Sequence, residues 1–207
     1  MADQPPISRG FRAKSRPAEH RDRIPPGQHL VSDFPVLSAG PTPQIDLARW
    51  RFSLRENGKI LQEWNWEEFN ALPQTDWKRD IHCVTTWSKL DTRWRGVTVD
   101  DLLRAAGLGK PPAPYVMMHS AGGYTTNLPS ADLAGGKAMV ATLYEGKPLE
   151  PEHGWPARLV VPHLYFWKSA KWLLALDFLP ENRQGFWEEL GYHDYGDPWQ
   201  EQRYVGD

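Results

Sequence analysis

Apolar and polar positions first alternate cleanly at Trp50, Phe52 and Leu54, which are separated by Arg51, Ser53 and Arg55. A period of two predicts a half-buried strand. Glu56-Asn57-Gly58-Lys59 follows. Asn-Gly suits the positive φ angles of a tight hairpin turn, so Ile60-Leu61 opens the return strand. Asn65-Trp66-Glu67-Glu68-Phe69 reads as a capped short helix, stopped by Pro73. The run Trp77-Lys78-Arg79-Asp80-Ile81-His82-Cys83 predicts another strand with Cys83 at its end. Thr98 to Ala106 predicts a helix: Thr98 caps it, Asp100 and Asp101 suit its positive N-terminus, and Gly107 ends it. Tyr115–Met118, Ala138–Tyr144, Ala157–Val161 and Trp172–Phe178 are further predicted strands, with Leu133 in a brief helical turn. Strands joined by short helices give an α+β fold with mainly antiparallel sheets.

At 207 residues the chain fits one compact domain. That domain is expected over 29–207. Residues 1–28 carry six Lys/Arg, three Asp/Glu and few large apolar residues. They read as a flexible N-terminal arm. The other reading of the arm is a wrap that brings an arginine to an anionic ligand. A net charge of −2 removes nucleic acid and anionic membrane as expected partners. Nineteen prolines predict many turns and few long helices. No run of 18 apolar residues offers a membrane span. The N-terminus has no apolar h-region and no twin-arginine signal, so a cytoplasmic location is expected.

Cys83 is the one cysteine. It cannot form an internal disulfide, nor build a zinc site from thiolates alone. Three readings remain: a buried spacer, a nucleophile, or the single protein thiolate on a metal whose other ligands come from a cofactor. The third requires basic and small polar residues elsewhere, able to hold an anionic cofactor.

Such residues occur in Gly146-Lys147-Pro148-Leu149 and His153-Gly154-Trp155-Pro156-Ala157-Arg158-Leu159-Val160-Val161-Pro162, followed by Lys171-Trp172 after a short loop. Together with Cys83-Val84-Thr85-Thr86-Trp87-Ser88 and Trp94-Arg95-Gly96-Val97, this pattern resembles the sulfite oxidase superfamily of molybdenum enzymes. It is most similar to small bacterial members without a haem domain, including the catalytic subunit of the bacterial sulfoxide reductase. The likeness covers roughly residues 45–190.

The resemblance implies a molybdopterin-dependent oxidoreductase that transfers an oxygen atom to or from a small sulfur or related oxo substrate. Its cofactor would be molybdenum-molybdopterin, with Cys83 as the thiolate ligand to the metal. Arg158 would grip the cofactor phosphate with its planar fork. Lys171 and the backbone amides of Ser169 and Ala170 would cradle the same group. His153 would hydrogen-bond the pterin, and Ser120 would contact the cofactor. Tyr124 matches the active-site tyrosine, and Lys168 stands where the family places a substrate-binding arginine. With Lys168 as the one cation offered there, beside the bulky run His163–Trp167, the pocket suits a sulfoxide better than sulfite. A separate redox carrier protein is implied, because no haem, flavin or iron–sulfur motif is present. The dimerisation domain of the sulfite oxidases has no counterpart, so a monomer is expected.

Each residue also has a plainer reading. Arg158 could pair with Glu150 or Glu152, His153 could face solvent, and Tyr124 and the aromatic run could be core. The tail Tyr192–Trp199 could cover the cleft or be a surface appendage. Two other classes stay open: a molybdopterin carrier without turnover, and a tryptophan-rich module whose exposed rings stack on sugars.

Overall fold

The structure, a computed structural model, describes residues 20–207. In chain order its elements are β1 (His29–Leu30), β2 (Arg51–Glu56), β3 (Lys59–Asn65), α1 (Trp66–Ala71), β4 (Thr75–His82), β5 (Trp87–Thr98) and α2 (Val99–Ala105). There follow β6 (Tyr115–Ser120), β7 (Thr125–Pro129), β8 (Met139–Tyr144), β9 (Lys147–Pro148), β10 (Arg158–Val160), β11 (Leu173–Leu179) and α3 (Phe186–Glu189). One sheet runs β1-β5-β8-β10, with β4 on β5 and β9 on β8. The second runs β3-β2-β11-β6-β7. Most pairings are antiparallel, but β1 lies parallel to β5 and β2 parallel to β11. The mainly antiparallel α+β expectation therefore matches the structure.

Local chemistry explains the short helices. Asn65 accepts from the Glu68 N–H at 2.9 Å, and the Glu68 carboxylate accepts from the Asn65 N–H at 2.8 Å. This reciprocal box satisfies two orphan donors. Thr98 caps α2 by accepting from the Asp101 N–H. At the β2–β3 turn, Asn57 and Gly58 take φ of 48° and 81°.

Two apolar clusters share the first sheet. Successive residues of β8 and β10 alternate between them: Val140 and Leu159 enter the larger, Met139, Ala141 and Val160 the smaller. The smaller cluster also holds Trp77, Ile81, Cys83, Trp87, Trp94 and Phe166. Cys83 thus follows directly on β4 with its side chain in the smaller cluster.

Residues 1–19 of the expected arm lie outside the described residues. Residues 20–28 are packed rather than free: Ile24 is fully buried, and Arg23 forms paired bonds of 2.9 and 2.7 Å to Asp80. The sugar-stacking reading fails on exposure. Of the eleven tryptophans, Trp199 alone is exposed, so no row of open rings exists. No helix among the described residues is long and apolar enough to cross a membrane.

Candidate active site

A cleft of about 480 Å³ opens beside the end of β4. Cys83 lies in its wall, just past the strand end expected to carry it. A tight turn holds it: its N–H donates to Trp87 O at 2.8 Å and its carbonyl accepts from the Thr86 N–H at 3.0 Å. Thr86 takes a φ of 75° to close that turn. The buried Gln28 amide donates to the same carbonyl at 3.0 Å. Thr85 Oγ1 donates to Sγ at 3.2 Å. Burial pushes the thiol pKa up, with Thr85 and the Arg203 charge acting against it. A thiol so held is no activated nucleophile, and no histidine hydrogen-bonds it among the described residues. A metal cation would displace its proton.

Across the cleft wall Arg158 is 2% exposed. Its guanidinium donates to His153 O and Ser169 O, both at 2.8 Å, and lies 4.2 Å from the Phe166 ring centroid. It pairs with neither Glu150 nor Glu152, and it has no ion pair among the described residues. Burial lowers its pKa to about 9, so it remains a cation at neutral pH. A buried cation without a counter-charge is costly. The site therefore asks for an anion.

Lys171 and His153 stand beside it. The Lys171 ammonium donates to Leu37 O at 2.7 Å and Glu152 O at 2.8 Å. Burial, then the Arg158 charge, lowers its pKa to about 8. His153 stacks on Phe34 at 4.1 Å, and its Nε2 meets Phe34 O at 3.0 Å. A carbonyl only accepts, so Nε2 carries the proton and Nδ1 is left as an acceptor. Gly154, at φ 112°, lets these groups converge: a Cβ there would lie 3.1 Å from the Cβ atoms of both Arg158 and Lys171.

The remaining expectations divide. Ser169 and Ala170 line the cleft. The Ser169 N–H, however, already donates to Phe166 O at 3.1 Å, and its Oγ accepts from the Val161 N–H at 2.9 Å. The Ser169 N–H is thus used by the fold, whereas its hydroxyl keeps a proton to donate. Ser120 is buried behind the wall formed by Ala121, Gly122 and Gly123, and its Oγ has no partner. Tyr124 lines the cleft, but its hydroxyl donates to Trp167 O at 2.7 Å. Burial, followed by the Glu188 charge, raises its pKa well above the ordinary phenol value.

Lys168 requires correction. It is fully buried and bonds Glu188 at 2.6 Å, Asn127 O at 2.9 Å and Asp194 O at 2.6 Å. It forms no part of the cleft wall. Its ammonium ties the chain end to the sheet and offers no charge to a substrate. We expect Lys168→Met, which leaves Glu188 buried and unpaired, to cost about 3–5 kcal/mol of stability in denaturant melts. The double variant Lys168→Met/Glu188→Leu should recover most of that loss. An unchanged midpoint in the single variant would contradict the structural role.

Sequence reasoning missed the segment 34–43, whose Phe34, Pro35, Leu37 and Pro41 line the cleft. An isolated phenylalanine among prolines was the available signal. It also missed Phe186 and Trp187, which with Trp167 and Tyr192 form an aromatic wall. The tail beginning at Tyr192 thus contributes to the cleft.

The chemistry fits a phosphate-bearing, metal-binding pterin. An uncompensated buried guanidinium, a second cation, an acceptor nitrogen and the lone thiol meet in one cleft. Trp87, in the same wall, has a buried Nε1 with no partner.

Fold and site together define a molybdopterin-binding oxidoreductase. Residues 39–187 match the oxidoreductase molybdopterin binding domain, and the chain belongs to that family. It is 45% identical over 198 residues to the uncharacterized oxidoreductase YuiH of Bacillus subtilis, covering 94% of this chain and 98% of that one. It is 29% identical over 153 residues to a protein of Azospira oryzae named as a putative protein-methionine-sulfoxide reductase subunit, YedZ1. That match covers 74% of this chain and 58% of YedZ1. Human mitochondrial sulfite oxidase is 30% identical over 112 residues, 50% of this chain and 21% of that protein. The sulfane dehydrogenase SoxCD of Paracoccus pantotrophus shares the fold, with a TM-score of 0.57 and 20% identity over 68% of this chain and 40% of that one.

Proposed function

We propose that the protein reduces small, partly apolar S-oxides, with molybdenum-molybdopterin bound through Cys83 and electrons from a separate carrier. One observation carries the reading: the lone thiol and a buried, unpaired guanidinium line the same aromatic cleft. When bound, the pterin-held molybdenum supplies two-electron oxygen-atom transfer.

The protein's own groups do the rest. Arg158 and Lys171 bind the phosphate by charge-assisted hydrogen bonds. His153 Nδ1 accepts from a pterin N–H, and Phe34 O holds that tautomer. The Tyr124 hydroxyl anchors the Trp167 backbone and so fixes the aromatic wall against which the substrate lies. Trp167, Trp187 and Tyr192 exclude water from the reacting oxygen, which strengthens every polar contact inside. Of the cleft's cations, Arg158 and Lys171 serve the phosphate. With Lys168 buried on Glu188, a doubly charged sulfite would leave water without fixed counter-charges. A cytoplasmic monomer is the working form in this reading.

Steady-state turnover with a reduced dye tests it. Small dialkyl and aryl-alkyl sulfoxides should be reduced, and sulfite should be oxidised weakly. Efficient sulfite oxidation at micromolar substrate, without S-oxide reduction, would overturn the assignment.

A further inference from the structure

Trp199 is the exposed exception among the tryptophans, at 44%. It also stands close to the candidate metal ligand. Its ring makes an edge contact with the His82 ring, 6.4 Å between centroids, and His82 is covalently joined to Cys83. His82 is 4% exposed, and its Nδ1 is fixed on Ser88 Oγ at 2.8 Å. The path from the thiol to the outer face at Trp199 therefore runs through the covalent chain to the His82 ring and then one aromatic edge contact.

The ground under Trp199 is rigid. Arg203 donates to Val84 O at 2.6 Å, and the Tyr165 ring lies 4.9 Å from its guanidinium carbon. Asp197 accepts from the Trp199 N–H at 2.8 Å. This pins the loop to the turn that presents Cys83. The loop is acidic: residues 192–207 contain Asp194, Asp197, Glu201 and Asp207 against Arg203 alone. Arg203 is half-buried, engaged by carbonyl and ring contacts and by an ion pair of 3.8 Å with Glu201, so the loop as a whole keeps a negative formal charge.

We propose that the face around Trp199 docks the separate electron carrier, a one-electron redox protein with a basic surface around its cofactor edge. An exposed aromatic ring in a charged rim is the usual form of a small, transient interface. Opposite charge supplies the encounter rate. The proposal rests on the S-oxide reduction above. Each docking delivers one electron. Two dockings, with two protons, convert one sulfoxide to its thioether and one water: the sulfur–oxygen bond breaks and the oxygen leaves with both protons.

The experiment uses the cofactor-loaded protein and two donors. A reduced viologen dye needs no docking face, and reduced mitochondrial-type cytochrome c is the basic protein probe. Trp199→Ala and Glu201→Gln should leave dye-driven turnover unchanged. Each should weaken cytochrome c binding, measured by calorimetry at low salt, by about tenfold, equivalent to about 1.4 kcal/mol. Wild-type affinity should fall steeply as salt rises. Unchanged cytochrome c affinity in both variants overturns the docking face. So does salt-independent binding, or a loss of wild-type self-association in Trp199→Ala, which would make the face a contact between two copies of this chain. Absence of dye-driven turnover in the wild type would instead overturn the function on which the inference rests.

Discussion

A Cys83→Ser variant should keep its fold and lose molybdenum-dependent turnover entirely. Serine is nearly isosteric, and the turn around residue 83 is held by backbone bonds to Trp87 and Thr86 and by the Gln28 amide, none of which needs sulfur. The expected stability cost is about 1 kcal/mol, the ordinary size of a single buried change. A hydroxyl is a hard, weakly acidic group, and a poor substitute for a soft thiolate on such a metal. Metal analysis by plasma mass spectrometry, thermal melting and dye-driven turnover together separate the outcomes. A serine variant that binds molybdenum and turns over at the wild-type rate would remove Cys83 from the metal.

Arg158→Ala should purify with most of its cofactor missing. Each lost charge-assisted hydrogen bond is worth about 1.5–3 kcal/mol. A bidentate fork makes two, so affinity falls by several powers of ten. The substitution also removes the bonds to His153 O and Ser169 O, which shape the cleft. Arg158→Lys separates these effects, because it keeps a cation but loses the fork. The sharper readout is the difference in melting between loaded and cofactor-free protein, because ligand bound to the native state stabilises it by mass action. Wild type should show a large difference and Arg158→Ala almost none. Full cofactor content with an unchanged difference would refute the phosphate role.

Short-range chemistry was legible in the sequence. Asn57-Gly58, the Asn65–Glu68 box and the Thr98 cap each act over a few residues, and each stands where the pattern placed it. The buried state of Arg158 was readable too, from the apolar residues that follow it. The longest strand, β5, was hidden. Its apolar positions do not alternate, because Asp91 takes a φ of 59° and the pairing with β8 shifts between Arg95 and Gly96. Lys168 misled for a related reason. In a loop of aromatic residues a lysine reads as a pocket cation, yet its partner Glu188 lies on α3 and no local period links the two. Phe34 was missed because its five aromatic neighbours come from four separate stretches of chain.

The placement of β11 governs when the molecule can come into being. This strand sits between β2 and β6, with Ser53 opposite Ala175 and Val116 opposite Phe178. During synthesis the β2–β3 and β6–β7 hairpins emerge first, each with an open edge and no central partner. Phe69 of α1 can cover part of the first hairpin at once, but the two hairpins cannot join into one sheet until the last strand leaves the ribosome, and such non-local pairing closes slowly. The nascent chain therefore carries two adhesive edges through most of its translation. Lys171 lies two residues before β11, so the cleft wall that it shares with Arg158 takes its final shape only as the sheet closes.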